Sequence, residues 1–394
     1  MKMWSFIIVA CSFQVILGSE PFKASEELVS KLPSNIPNVF PIQKEIILHH
    51  GYPCEEYQVE SEDGYILTIF RIPHGRENDT NKGPRPAVFL QHAFLGVSTH
   101  WISNLPNNSF GFILADAGYD VWIANSRGNM WSSKHKTLTT KMATRDVPHW
   151  FALIYFILNK TNQEQLYFVG HSEGSAAGFI AFSSWPKLAE RIKVFFALGP
   201  VTTLTFATTA GRLIFSKTFS NTIKYFSNRF CTYYASLSNI SVRICTYYPN
   251  FCANVMSLFT GYNTANLNMS RLDVYVAQSP AGTSMQNLLH WSQIYSTNQF
   301  QAYDYGSKER NLKKYNQTTP PVYRIEDIKI PISVWTGGQD LFADSRDVGA
   351  LCFRISNLID KRHIPEWQHV DFIWGLDATE RMYRHIIETM RKYP

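Results

Sequence analysis

Leu166-Tyr167-Phe168-Val169-Gly170-His171-Ser172-Glu173-Gly174 runs from four apolar residues straight into a G-x-S-x-G pattern. The residues that follow include Ala176, Ala177, Gly178 and Ala181, small side chains that suit a closely packed helix. A short apolar run ending at glycine reads as a buried strand. Strand, G-x-S-x-G and helix together form the context of a nucleophile elbow, in which a serine sits on a strained turn. The flanking glycines let the helix lie close to the strand with no Cβ in the way. The helix N-terminus then aims its N–H groups at the space beside the hydroxyl, where an oxyanion would form.

Working outward, the chain alternates short apolar strands with helical stretches. Glu56 to Ile72 reads as two strands around Ser61-Glu62-Asp63-Gly64. Pro86 to Gln91, Asp120 to Ala124, Val194 to Leu198 and Ile332 to Trp335 read as further buried strands. Phe110 to Ala117 and Trp150 to Asn159 read as helices between them. This alternation predicts an α/β protein with a mostly parallel sheet and helices on both faces. Residues 204–330 break the alternation and carry many aromatics, among them Phe206, Phe215, Phe219, Tyr225, Phe226, Phe230, Tyr247, Tyr248, Phe251 and Phe259. They are expected to form a cap inserted between a first core segment, 20–203, and a second, 331–394. Some of the aromatics should pack the cap's own interior, and others should line an acyl pocket or a lipid-facing rim.

A serine hydroxyl needs a positioned base, and the base needs an orienting acid. In this kind of fold the chain order is serine, acid, histidine, each on a loop at the C-terminal edge of the sheet. Asp340, after the strand at 332–335 and the turn Thr336-Gly337-Gly338-Gln339, fits the acid; Asp344 and Asp347 are rivals nearer the next helix. Asp340 could alternatively cap that helix. His369, after the last strand, fits the base, with His363 as its competitor inside a strand-like stretch. The loop Gln91-His92-Ala93-Phe94 is placed to supply a second oxyanion donor, so the backbone N–H groups of Phe94 and Glu173 are the expected pair. No metal or cofactor is required, and the cysteine spacings match no zinc pattern.

The chain has 394 residues and a net charge of +6 with no dense Lys/Arg run, which gives nucleic-acid binding no support. Residues 1–19 read as a signal peptide: Lys2, an apolar run from Trp4 to Leu17, then Gly18-Ser19. That run is shorter than the ~20 residues that span a bilayer, and no later segment is long enough, so no transmembrane segment is expected. Six N-x-S/T sites, at Asn78, Asn107, Asn159, Asn239, Asn268 and Asn316, fit a secreted glycoprotein. Beyond Cys11 the cysteines are Cys54, Cys231, Cys245, Cys252 and Cys352, an odd set that leaves at least one thiol free or paired between chains. Cys245 and Cys252 are the leading candidates for a bridge, which would stabilise by roughly 2–3 kcal/mol on the chain-entropy account.

Further stretches carry a family resemblance: Gly51-Tyr52-Pro53, Glu62-Asp63-Gly64-Tyr65-Ile66-Leu67, Asn104-Leu105-Pro106-Asn107-Asn108-Ser109, Asn125-Ser126-Arg127-Gly128-Asn129, Asn268-Met269-Ser270-Arg271-Leu272-Asp273-Val274-Tyr275 and Asp371-Phe372-Ile373-Trp374-Gly375-Leu376-Asp377-Ala378. Over nearly its whole mature length the chain resembles the gastric and lysosomal acid lipases. The resemblance implies an α/β-hydrolase fold with a cap and lid, and hydrolysis of triacylglycerol or sterol esters at a lipid–water interface in acidic surroundings. It implies a nucleophile, acid and base at Ser172, Asp340 and His369, oxyanion donors at Phe94 and Glu173, and a cap disulfide at Cys245 and Cys252. It leaves secretion and lysosomal delivery both open. Three departures stand out. His92-Ala93-Phe94 replaces the family's His-Gly-Leu, so alanine costs about 1 kcal/mol if that position has positive φ. Glu173 replaces a glutamine, and its carboxylate would oppose an oxyanion when ionised. The segment from Lys136 to Trp150 is shorter than the family's.

Two further functions compete with ester hydrolysis. A lipid carrier could keep the fold and cap with little chemistry, as the altered oxyanion loop suggests. A serine peptidase could use the same three groups, although a greasy cap argues against it.

Overall fold

The computed structural model describes residues 43–76, 83–137, 150–207, 215–216 and 241–394. The signal segment, Asn78, Asn239, Cys11, Cys231, most of 136–150, and Phe219, Tyr225, Phe226 and Phe230 lie outside the described residues.

Among the described residues, nine strands make one sheet: β1 (Glu55–Glu60), β2 (Tyr65–Ile72), β3 (Ala87–Gln91), β4 (Asp120–Ala124), β5 (Lys134–His135), β6 (Leu166–His171), β7 (Ile192–Leu198), β8 (Ile332–Gly337) and β9 (Leu358–Ile364). The order is β1-β2-β4-β3-β6-β7-β8-β9, with β5 paired to β2. β1, β2 and β5 pair antiparallel, and β4 joins β2 antiparallel; every other pairing is parallel. Strands β3, β4 and β6 are buried along their whole length, which is why they read as unbroken apolar runs. The edge strand β9 carries Asp360, Lys361 and Arg362, charges that discourage pairing with another chain.

The period-two alternation of side chains divides the core. Phe89, Trp122, Phe168 and Phe195 face the helices Trp150–Thr161, Glu173–Ser184 and Ser345–Arg354. Leu90, Val121, Val169 and Phe196 face the helices Gln43–His49, Phe110–Asp116 and Arg384–Lys392. Two hydrophobic layers therefore clamp the sheet. Between β7 and β8 the described residues form helices and turns, including the helices Pro249–Thr260, Leu272–Gln278 and Met285–Thr297. Pro249 occupies the first helical position, where its missing N–H is no loss.

Register places the site. Gln91 of β3 lies level with Gly170 of β6, Leu198 of β7 with His171 and Trp335, and Gly337 of β8 with Ile364 of β9. The loops carrying Phe94, Ser172, Asp340 and His369 all leave from that one edge.

Candidate active site

Ser172 holds φ +56° and ψ −116°, a backbone conformation that costs a non-glycine residue about 1–3 kcal/mol. The surrounding turn enforces it: a Cβ on Gly174 would lie 2.4 Å from the Gln91 carbonyl oxygen, so strand and helix approach as closely as glycine permits. Ser172 N donates to Leu198 O, and Ser175 N and Ala176 N donate back to Ser172 O. The hydroxyl is thereby held at the head of the helix Glu173–Ser184.

Three remote side chains meet there. Ser172 Oγ lies 2.7 Å from His369 Nε2, and His369 Nδ1 lies 2.8 Å from Asp340 Oδ2 and 3.0 Å from Oδ1. The Asp340 carboxylate can only accept, so Nδ1 carries the imidazole proton and Nε2 accepts from the serine. Phe342 N and Ala343 N also donate to Asp340 Oδ1, which fixes the carboxylate plane. Ser172, Asp340 and His369 are 4%, 5% and 6% exposed, so water competes little for these bonds. The rivals are occupied elsewhere. Asp344 caps the helix Ser345–Arg354 through Arg346 N, Asp347 accepts from Thr203 and from Phe206 N, and His363 lies on the exposed part of β9.

The Phe94 loop differs from one expectation. Ala93 is absent from the positive-φ residues, which here include Leu95 at +56°. The alanine therefore carries none of the left-handed strain that replacing a positive-φ glycine would bring. Phe94 lies in the turn that starts at Ala93, and Glu173 is the first residue of its helix, so its N–H has no intrahelical acceptor. The Glu173 side chain turns toward the cap, where Oε1 accepts from Trp291 Nε1 at 2.6 Å and from Asn287 Nδ2 at 2.7 Å. Burial pushes its carboxyl above the ordinary carboxylate range, against the pull of those two bonds.

A cavity of about 470 Å³ opens over Ser172 and His369. Its walls are almost wholly apolar, with Phe94, Leu204, Phe215, Phe259, Trp291 and Phe342 among them. Phe215 and Phe342 make ring contact, and Phe342 lies 5.1 Å from the His369 ring. Of the other cap aromatics, Phe251 also borders the cavity, whereas Tyr247 and Tyr248 face solvent and Phe206 lies under Arg346. Cys245 and Cys252, both on the cavity wall, are joined by a disulfide with their Cα atoms 5.4 Å apart. Cys54 and Cys352 are free thiols; burial pushes Cys54 up to about 12 and raises Cys352 as well.

Several contributors leave little trace in the sequence. Thr260 O accepts from His369 N at 3.0 Å and from Leu341 N at 3.5 Å, so one cap carbonyl spans the loops of both Asp340 and His369. Gly261 follows with φ +123°, packed against the Gln339 carbonyl. His171 donates from Nε2 to His369 O at 2.8 Å, and burial holds it well below the usual histidine range. Asp371 accepts through Oδ2 from Gln368 N and Asn263 Nδ2, while its buried Oδ1 has no hydrogen-bond partner among the described residues; burial raises it to about 7. Asn107, Asn159 and Asn316 are exposed, and Asn268 is half-buried.

Such an arrangement can take a proton from a hydroxyl and return it to a leaving group beside an apolar chamber. Comparison with known proteins agrees in kind. The family described as "alpha/beta hydrolase fold" matches residues 86–376, and that described as "partial alpha/beta-hydrolase lipase region" matches 43–105. The chain is 49% identical to the lysosomal acid lipase/cholesteryl ester hydrolase of Homo sapiens over 419 residues, covering 100% of each. It is 42% identical to the gastric triacylglycerol lipase of Rattus norvegicus, covering 94% of this chain and 96% of the relative. Among solved structures, an alpha/beta hydrolase fold protein from Nakamurella multipartita superposes with a TM-score of 0.52 at 12% identity, over 86% of this chain and 99% of that one, a likeness of fold alone. Identity at this level along the full length of both chains leaves no room for a merely shared architecture, and the chain belongs to the acid lipases of the alpha/beta hydrolase fold.

Proposed function

We propose that this chain hydrolyses fatty-acid esters, triacylglycerol or sterol ester, through an acyl-enzyme on Ser172. The observation that carries the reading is the Ser172–His369–Asp340 hydrogen-bonded chain opening into an apolar cavity. His369 Nε2 takes the hydroxyl proton as Ser172 Oγ attacks the ester carbonyl. Asp340 steadies the imidazolium without itself accepting the proton. The tetrahedral oxyanion rests on the N–H groups of Phe94 and Glu173; losing one such donor costs about 2.7–4 kcal/mol of barrier. His369 then protonates the departing alcohol, and water resolves the acyl-serine by the same relay. The acyl chain occupies the cavity, where burial of each methylene contributes about 0.8 kcal/mol.

The relatives' names, lysosomal acid lipase/cholesteryl ester hydrolase and gastric triacylglycerol lipase, support the substrate class and a secreted or lysosomal destination. None of the helices among the described residues is long and apolar enough to cross a membrane. Leu258 is exposed on the cavity-lining helix and Tyr247, Tyr248 and Tyr262 beside it, an apolar rim suited to a lipid–water interface. Asn107, Asn159, Asn268 and Asn316 are the glycan sites proposed among the described residues. The test is burst release of chromogenic alcohol from a short ester, with a phosphonate labelling Ser172. Stoichiometric binding of intact lipid, with neither burst nor label at acidic or neutral pH, would establish the carrier instead; cleavage of peptides but not esters would establish a peptidase.

A further inference from the structure

Among the described residues lining the cavity, Glu173 is the one carboxylic acid. Its main chain heads the helix that carries the nucleophile turn, and its side chain reaches across to the cap helix Met285–Thr297. Trp291 Nε1 and Asn287 Nδ2 both donate to the same oxygen, Oε1. Asn287 is itself braced: Nδ2 also donates to Thr283 Oγ1, and its backbone N–H donates to the capping hydroxyl of Ser284. Trp291 is buried and lies 6.1 Å from Phe215 in the cavity roof. The contact therefore joins the roof to the residue next to Ser172.

The electrostatic surroundings give that carboxyl little help as an anion. No Lys or Arg is among the described lining residues. The titratable groups facing the chamber are His369, bonded to Asp340; His100 and His171, whose charged forms burial disfavours; and Tyr275, whose phenol burial pushes up. The helix N-terminus and the two hydrogen bonds favour the anion, but desolvation outweighs them and the carboxyl titrates above its ordinary range.

We propose that the Glu173 side chain is a positioning residue that fixes the cap helix against the nucleophile turn, and that its charge state gates the reaction: the neutral acid permits an oxyanion at the adjacent amides, and the ionised form opposes it. The inference rests on ester hydrolysis through Ser172. A glutamine here could make the same cap contact but would carry no gate. The acid restricts turnover to acidic solution by a group outside the Ser172, His369 and Asp340 set.

The experiment compares the full chain with Glu173→Gln, measuring kcat and KM for a soluble chromogenic ester from pH 4 to pH 8. Each profile is normalised to its own acid plateau. The Gln variant is expected to hold its rate further into the neutral range, with the ratio rising on the order of tenfold by pH 8, the scale of one unfavourable charge nearby. That gain should sit in kcat, with KM little changed. Superimposable profiles overturn the gate. The tie is tested separately with Trp291→Phe, Glu173→Ala and the double variant, using KM for a long-chain ester. Coupled effects are expected, and effects that multiply to within about twofold overturn the tie. Phosphonate labelling of wild-type Ser172 keeps the two readings apart. Labelling with superimposed profiles defeats only the gate, whereas no labelling at any pH defeats the hydrolase itself.

Discussion

Replacing Gly261 by alanine should disable the enzyme without touching Ser172, His369 or Asp340. Gly261 has φ +123°, where a side chain costs about 1–3 kcal/mol. The larger effect is steric. An added Cβ would lie 2.0 Å from Gln339 O and 2.8 Å from Gln368 Cβ, whereas real contacts of this kind stay beyond 3.0 Å. Either the cap or the loops must therefore yield by about 1 Å. Gln339 immediately precedes Asp340, and Gln368 immediately precedes His369. Both loops also hang on the carbonyl of Thr260, one residue away. A displacement of about 1 Å at a reacting group costs on the order of 10²-fold in rate. The expected outcome is a fall of that size in kcat for a short ester, with phosphonate labelling of Ser172 slowed in parallel. Unfolding by urea separates this from global loss, since the strain should lower stability by only about 1–3 kcal/mol. A Gly261→Ala protein that folds and turns over at the wild-type rate would refute the view that the cap organises the acid and base loops.

Other consequences follow from the same geometry. Ser172→Ala should abolish the burst and the phosphonate adduct while leaving lipid binding in the cavity, measured by displacement of a fluorescent fatty acid. Asp371 is raised to about 7 by burial, against about 3.9 for a free aspartate. The unfolded chain thus releases this proton first, and the stability lost grows from about pH 4 and levels off above about pH 7, amounting to a few kcal/mol. Asp371→Asn should flatten that part of a urea-stability profile; an unchanged slope would show that Asp371 does not titrate in the fold. Cys245→Ser with Cys252→Ser should lower the urea midpoint by the equivalent of roughly 2–3 kcal/mol, and a midpoint unmoved would show that the bridge adds nothing.

The parts of this site that could be read in the sequence are those set by local sterics and chain order. The elbow announces itself because a serine at φ +56° needs glycine beside it, and Gly174 allows the Gln91 carbonyl to approach. Asp340 was separable from Asp344 because strand β8 ends at Gly337, and the next helix starts at Ser345 with Asp344 as its cap. The two-residue strand β5 has too few positions to show any period and leaves no signal in the sequence. What escaped altogether is contact made by main chain. Thr260 acts through its carbonyl oxygen, 109 residues before His369 in the chain, and any residue offers the same oxygen. The Glu173 contact was hidden for a related reason. The sequence showed a carboxyl beside the nucleophile, but its direction depends on Trp291 and Asn287, which only the folded cap brings near. Once that direction is known, the same carboxyl changes meaning: it ties the nucleophile turn to the roof through Trp291 and Asn287. The segment between β7 and β8 is therefore more than a cover, because the Thr260 carbonyl, Gly261 and Trp291 complete the arrangement that the sheet edge begins.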